Sequence, residues 1–187
     1  MLRVAQALGL CRSYPESLVR SIVRVDHAGE LAADQIYKGQ HMVLKNSDVG
    51  PVIQEMWDEE KEHLDICERL LTKYNTDPTV FTPLFKALAL GLGVGSALIG
   101  KEGAMACTIA VEELIGNHYN DQLKALIELD TKSERELLQL IKKMRDDELH
   151  HHDTGVKYDG LNAPMYSVLK QVIQSGCKAA IYLAERR

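Results

Sequence analysis

The chain has 187 residues and a mass of 20.9 kDa, with 45% apolar and 26% charged residues, a composition that fits one globular domain and excludes a disordered chain. Twenty-two basic residues against 27 acidic ones give a net charge of −5, so no basic excess exists to neutralise phosphates and no nucleic-acid partner is expected. Cys11, Cys67, Cys107 and Cys177 form no C-x-x-C pair, which argues for reduced, mostly buried thiols rather than a zinc knuckle or disulfide framework.

Residues 1–17 carry Arg3 and Arg12 and no acid before Glu16, the flavour of a short targeting segment or of a frayed end. The remainder, 18–187, is read as one domain. Helical periodicity predicts helices at about 16–45, 51–75, 101–129 and 132–157, with a terminal helix over about 165–186. Asn46-Ser47-Asp48 followed by Pro51 is a loop and helix-start signal. An apolar segment fills about 79–100. Its stretch ALALGLGVGSALIG (87–100) is uncharged but shorter than the roughly 20 residues a bilayer span requires. It is expected to pack in the core or to lie in a membrane interface, with Leu90, Leu92 and Val94 as lipid contacts.

The chain also resembles itself. M-W-D-E-E-K-E-H-L-D (56–65) and M-R-D-D-E-L-H-H-H-D (144–153) share Met, Asp, Glu, His and Asp at matching places. Upstream of each, a Glu is followed seven residues later by Tyr: Glu30 with Tyr37, and Glu112 with Tyr119. Two approximate tandem copies are therefore expected, 18–99 and 100–187.

Projected on a helix, Ile53, Met56, Glu60, His63, Cys67, Leu71 and Tyr74 form one inward stripe. Leu137, Ile141, Met144, Glu148, His151 and Gly155 form another. Glu30 lies among Val23, His27 and Tyr37, and Glu112 among Ile109, Ile115, Tyr119 and Leu123. Four carboxylates and two imidazoles facing an apolar interior are costly unless charge compensates them. Glu and Glu-x-x-His, each twice, is the ligand set of di-iron and di-manganese helical bundles, and oxygen and nitrogen donors without thiolate suit either metal. The repeat selects His151 over His150 and His152, Glu60 over Glu59 and Glu62, and Glu112 over Glu113.

V-D-H-A-G-E (25–30), M-W-D-E-E-K-E-H (56–63), G-K-E-G-A-M-A-C-T (100–108), E-E-L-I-G-N-H-Y-N (112–120) and D-E-L-H-H-H-D (147–153) together resemble the demethoxyubiquinone hydroxylases, mitochondrial di-iron monooxygenases of coenzyme Q biosynthesis. The resemblance covers nearly all of the chain after about residue 17. It implies two iron ions per chain held by Glu30, Glu60, His63, Glu112, Glu148 and His151, with Glu60 and Glu148 bridging. It further implies a polyprenyl quinone substrate, O₂ as oxidant, and peripheral attachment to inner-membrane lipid on the matrix side. A lipid-binding accessory protein of the coenzyme Q biosynthetic complex is the implied partner. The expected architecture is all-α, a ferritin-like four-helix bundle with two additional apolar or amphipathic membrane-facing helices. A quinol oxidase of the alternative-oxidase type and a ferritin-like iron-binding protein are the rival readings.

Around the ligand set, Asp26 and Asp147 are read as orienting the histidines or as solvated helix-face acids, and His27 as hydrogen-bonding a ligand or sitting satisfied in the core. His118 is read as a relay group or an exposed side chain. Tyr119 is placed within reach of substrate and Tyr37 in plain packing. Lys178, Tyr182 and Arg186 lie four residues apart on one face of the terminal helix. With no G-x-G-x-x-G present, they are read either as holding NADH by its phosphates and base or as an interfacial stripe reaching lipid headgroups.

Overall fold

The computed structural model describes residues 13–128 and 134–186. Most of the candidate targeting segment, together with Cys11, lies outside them. Six α-helices and no strand occur among the described residues: α1 (Ser13–Leu44), α2 (Gly50–Lys73), α3 (Thr82–Leu98), α4 (Lys101–Glu128), α5 (Arg135–Lys157) and α6 (Tyr166–Ala184). The architecture is all-α, and each expected helix falls within a few residues of its predicted place.

Local chemistry sets the helix ends. Proline occupies the first turn of α2 and of α3, where its missing N–H has no helical partner to lose. Asn75, just beyond α2, and Asp159 and Met165, between α5 and α6, adopt positive φ angles of 46°, 69° and 54° and turn the chain.

The four long helices pair as α1 with α2 and α4 with α5, while α3 lies along α1 and α6 rests mainly on α4. Two apolar layers fill the bundle. Val23, Cys67, Leu70, Leu137, Ile141 and Met144 belong to one layer, and Tyr37, Ile53, Met56 and Met105 to the other. The inward Glu and His residues come between these layers along α1, α2 and α5.

The α1–α3 crossing is backbone against backbone. A Cβ at Gly93 would lie 2.1 Å from the Ile36 carbonyl oxygen, and one at Gly39 would lie 2.7 Å from that of Leu90. Gly93→Ala should therefore destabilise the fold by roughly 1–3 kcal/mol, the usual range for overpacking, and lower Tm in a circular-dichroism melt. Gly91→Ala on the same helix meets nothing within 4 Å and should raise stability slightly. Equal melting temperatures for the two variants would contradict the crossing.

No helix among the described residues is long and apolar enough to cross a membrane. The large apolar side chains exposed on α3 and its flanks are Val80, Leu84, Leu88, Leu98 and Ile99. Leu90, Leu92 and Val94, the expected lipid contacts, are half-buried, because Gly93 turns that face of α3 onto α1.

Candidate metal centre

Glu30, Glu60, His63, Glu112, Glu148 and His151 converge at the middle of the bundle, and none is more than 1% exposed. They form two overlapping clusters, Glu30–Glu60–His63–Glu148 and Glu60–Glu112–Glu148–His151, each with ligand atoms within 4.8 Å of one another. Glu60 and Glu148 belong to both. The two clusters are thus joined through the shared carboxylates, an arrangement that can bridge a pair of cations.

Each imidazole turns Nδ1 toward the carboxylates. His63 Nδ1 lies 3.4 Å from Glu30 Oε2, 3.4 Å from Glu148 Oε1 and 3.6 Å from Glu60 Oε2. His151 Nδ1 lies 3.0 Å from Glu60 Oε1 and 3.3 Å from Glu148 Oε2. The opposite nitrogens are held from outside: His63 Nε2 bonds Asp147 at 3.0 Å and His151 Nε2 bonds Glu59 at 2.6 Å. A proton on Nε2 leaves Nδ1 as the lone-pair nitrogen, so both rings are oriented to ligate.

The electrostatics describe a site short of positive charge. Burial and the nearby Glu148 and Glu60 charges push the Glu112 carboxyl well above its ordinary value. Burial alone would lower His151, yet the Glu148 and Glu60 carboxylates beside its Nδ1 outweigh it and raise the ring to about 12. His63 moves in the same direction for the same reasons. Both carboxylate oxygens of Glu60, Glu30 Oε2 and His63 Nδ1 are buried without a hydrogen-bond partner. Unsatisfied acceptors of this kind are rare in protein interiors. Two divalent cations would occupy them and neutralise four carboxylates, so the residues present fit a dinuclear metal site.

Two tyrosines tie the helix pairs across the centre. The Tyr37 hydroxyl donates to Glu112 Oε1 at 2.8 Å, and the Tyr119 hydroxyl donates to Glu30 Oε1. Burial and the surrounding carboxylates raise both phenols well above their ordinary value, so they remain donors. Tyr37, expected only to pack, is therefore part of the carboxylate network.

The remaining sequence candidates separate clearly. Asp147 contacts His63; burial would raise its carboxyl, but Lys143 at 2.8 Å and His63 hold it below the usual range. Asp26 orients neither histidine. It accepts from Gln122 instead, at 2.6 Å, and burial raises its carboxyl well above the ordinary value. His27 is buried with Nδ1 unpartnered. The charges acting on His27 are Glu68 and Lys86 rather than the ligand set. His118 is half-buried, 2.9 Å from Gln122. Lys178 and Tyr182 line a surface pocket with it, and the Arg186 guanidinium lies 3.4 Å over the Tyr182 ring.

Glu59 was set aside in the sequence in favour of Glu60, yet it holds His151. The signal was present: in the repeat alignment Glu59 falls opposite Asp147, which holds the other histidine.

Beside the centre runs an apolar channel of about 460 Å³. It is walled by α1, α3, α4 and α6, and its lining includes Gly29 and Val111, the residues preceding Glu30 and Glu112. Its outer lining includes Leu84, Leu88 and Val172, which are 50%, 62% and 64% exposed.

Residues 17–184 match the family model described as "Ubiquinone biosynthesis protein COQ7". The chain is 63% identical over 171 residues to a Caenorhabditis elegans protein named NADPH-dependent 3-demethoxyubiquinone 3-hydroxylase, mitochondrial, covering 91% of each. A human protein of the same name is 56% identical over 168 residues, covering 90% of this chain and 77% of its own length. A Rhodospirillum rubrum protein named 3-demethoxyubiquinol 3-hydroxylase is 38% identical over 174 residues, covering 92% of this chain and 80% of its own length. With every carboxylate and histidine of the centre inside the matched residues 17–184, the chain belongs to the COQ7 family of ubiquinone biosynthesis proteins.

Proposed function

We propose that this chain is a mitochondrial monooxygenase that hydroxylates the ring of a demethoxyubiquinone in ubiquinone biosynthesis, using a di-iron centre held by Glu30, Glu60, His63, Glu112, Glu148 and His151. The observation that carries the reading is the shared wall: an apolar channel of about 460 Å³ adjoins a buried set of metal-ligating residues. A pair of iron ions in that site would supply the O₂ chemistry and store two electrons. Glu60 and Glu148, common to both clusters, would serve both ions, Glu30 and Glu112 would each serve one, and the histidines would offer Nδ1. Tyr37 and Tyr119 hold the end carboxylates in place. The apolar channel presents the ring to the centre and excludes water from it. Reciprocal contacts between the halves support the two-copy reading of 18–99 and 100–187.

The exposed apolar residues at the channel mouth support peripheral attachment to a bilayer, from which a long-tailed quinone could enter without crossing water. We place the protein on the matrix side of the inner membrane, with a lipid-binding accessory protein of the coenzyme Q biosynthetic complex as partner. The reductant is a reduced nicotinamide. The family resemblance suggested NADH, whereas the animal relatives are named for NADPH. The pocket lined by Lys178 and Tyr182 is the candidate site for it. Arg186 already covers one face of Tyr182, so a stacked base would take the other face or displace the guanidinium.

The test is turnover of iron-loaded protein on a demethoxyquinone under ¹⁸O₂. One ¹⁸O atom in the product ring is expected. Quinol oxidation with an unaltered ring would support an oxidase instead, and iron uptake without turnover would support an iron store.

The channel makes a separate prediction. Gly176 lines it, and a Cβ there meets nothing within 4 Å. Gly176→Leu should project into the channel and lower kcat/KM for long-tailed quinones by about tenfold, equivalent to about 1.4 kcal/mol of transition-state stabilisation. A short-tailed analogue should be affected less, with Tm and iron content unchanged. Equal losses for both substrates would place the tail elsewhere.

A further inference from the structure

A metal centre buried this deeply needs a way in for its ions. The apolar channel is a poor one. It is lined by apolar side chains, glycines and Cys177, so a divalent cation entering it would shed water and find nothing to offset the desolvation. The apolar layers around Ile141 and Ile53 close the bundle on either side of the centre. What remains is the seam between α2 and α5. These two helices touch sparingly, whereas each packs closely on its hairpin partner, α1 or α4.

At this seam the centre lies one side chain from solvent. The His63 and His151 rings are wholly buried, but the groups on their outer nitrogens are not: the Asp147 side chain is 32% exposed and that of Glu59 is 42% exposed. Each carboxylate meets water on one side and a ligating ring on the other. Behind the rings lie the buried acceptors without a hydrogen-bond partner, both oxygens of Glu60 and Glu30 Oε2, together with His63 Nδ1. Exposed carboxylate, imidazole and buried carboxylate therefore follow one another inward. A cation passing along them exchanges its waters for oxygen and nitrogen donors in stages.

A basic residue stands at the outer end. Lys143 Nζ donates to Asp147 Oδ2 at 2.8 Å, the same oxygen that lies 3.0 Å from His63 Nε2. The Glu62 and Glu59 charges on α2 act on that ammonium as well. Beside it opens a groove of about 380 Å³ whose lining includes Lys61, Glu62, Asp65, Arg69 and Lys143. Lys61 is paired with Asp58 at 2.7 Å, Arg69 with Asp65 at 3.3 Å and Lys143 with Asp147. Glu62 is thus the lining charge left without an ion pair among the described residues. Resting on the dinuclear metal reading, we propose that the α2–α5 seam is the entry for the metal ions, with Glu62, Glu59 and Asp147 as the outer carboxylates and Lys143 as an ammonium that an arriving divalent cation displaces. One ammonium among three carboxylates is the weaker occupant, since a doubly charged ion is attracted by all three about twice as strongly. Displacing Lys143 frees the Asp147 oxygen, and His63 and His151 are the next donors inward.

The experiment follows Fe²⁺ uptake by metal-free protein without oxygen at low ionic strength, quenched at intervals with a chelator. Glu62→Lys should slow loading about tenfold and Lys143→Met should speed it about threefold, within the range by which charges at an entrance alter association. Both differences should shrink in high salt. Iron content at saturation should stay at the wild-type value, because neither side chain is among the ligands of the centre. Leu88→Lys puts a positive charge at the channel mouth, where Leu88 is 62% exposed, and should load at the wild-type rate. Slow loading in Leu88→Lys with Glu62→Lys unaffected would move the entry to the channel. A wild-type rate in Glu62→Lys, a loss that salt does not relieve, or slower loading in Lys143→Met would each overturn the seam. A wild type that takes up no iron would sink the metal reading and the route with it. Loading through the seam in a protein that does not hydroxylate would leave the route intact and sink the activity assigned to the chain.

Discussion

Glu148→Ala should empty both metal positions at once. Glu148 belongs to both clusters, whereas Glu30 belongs to one and Glu112 to the other. Iron per chain is therefore expected to fall close to zero in Glu148→Ala, and to about half the wild-type value in Glu30→Ala or Glu112→Ala. Hydroxylation should fall to background in all three. Stability should move the opposite way in metal-free protein. A buried carboxylate facing like charges costs free energy unless a cation or a proton compensates it. Removing Glu112, whose carboxyl burial and its neighbours hold well above the ordinary value, should thus raise the metal-free Tm while abolishing the stabilisation that metal gives the wild type. Full iron content in Glu148→Ala would remove the bridging assignment, and a lowered metal-free Tm would remove the electrostatic account.

Asp147→Asn and Glu59→Gln should each lower metal affinity by roughly 10–100-fold, the range for groups that orient a ligating histidine. Each amide can turn its oxygen toward the Nε2–H and keep a bond, but it loses the negative charge that makes the ring a stronger donor. The two residues serve different histidines, His63 and His151, but the histidines share Glu60 and Glu148. The double variant should consequently lose more than the sum of the singles in free energy. Competition with a chromophoric chelator measures all three. Equal affinities in the wild type and both single variants would show that neither carboxylate orients its ring.

Much of this was readable in the chain. Glu60, His63 and Cys67, or Glu148, His151 and Gly155, fall on one helical stripe whatever the tertiary arrangement, so periodicity alone placed them inside. What periodicity cannot give is the neighbour across the interface. Glu59 and Asp147 each lie one residue off the inward stripe, and reach a histidine only because the facing helix sets it there. Tyr37 was readable as buried, but not as the donor to Glu112, which belongs to the other helix pair. Asp26 pairs with Gln122 across 96 positions of sequence, a contact no local pattern announces. The orientation of α3 was hidden for another reason. Apolar residues and glycines surround that helix on every side, so only its crossing with α1 decides that Leu84 and Leu88 face outward while Leu90 and Leu92 do not.

That crossing has a consequence for movement. Two glycines set α3 so close to α1 that the helices share carbonyl contacts, leaving no side-chain layer over which one could slide on the other. α6, the opposite wall of the channel, has only Ile173 and Ala184 buried. Between α3 and α6, the lesser cost of displacement therefore falls on α6: any widening of the passage to admit a ring or release a bulkier product would expose less core there than at the α1–α3 crossing.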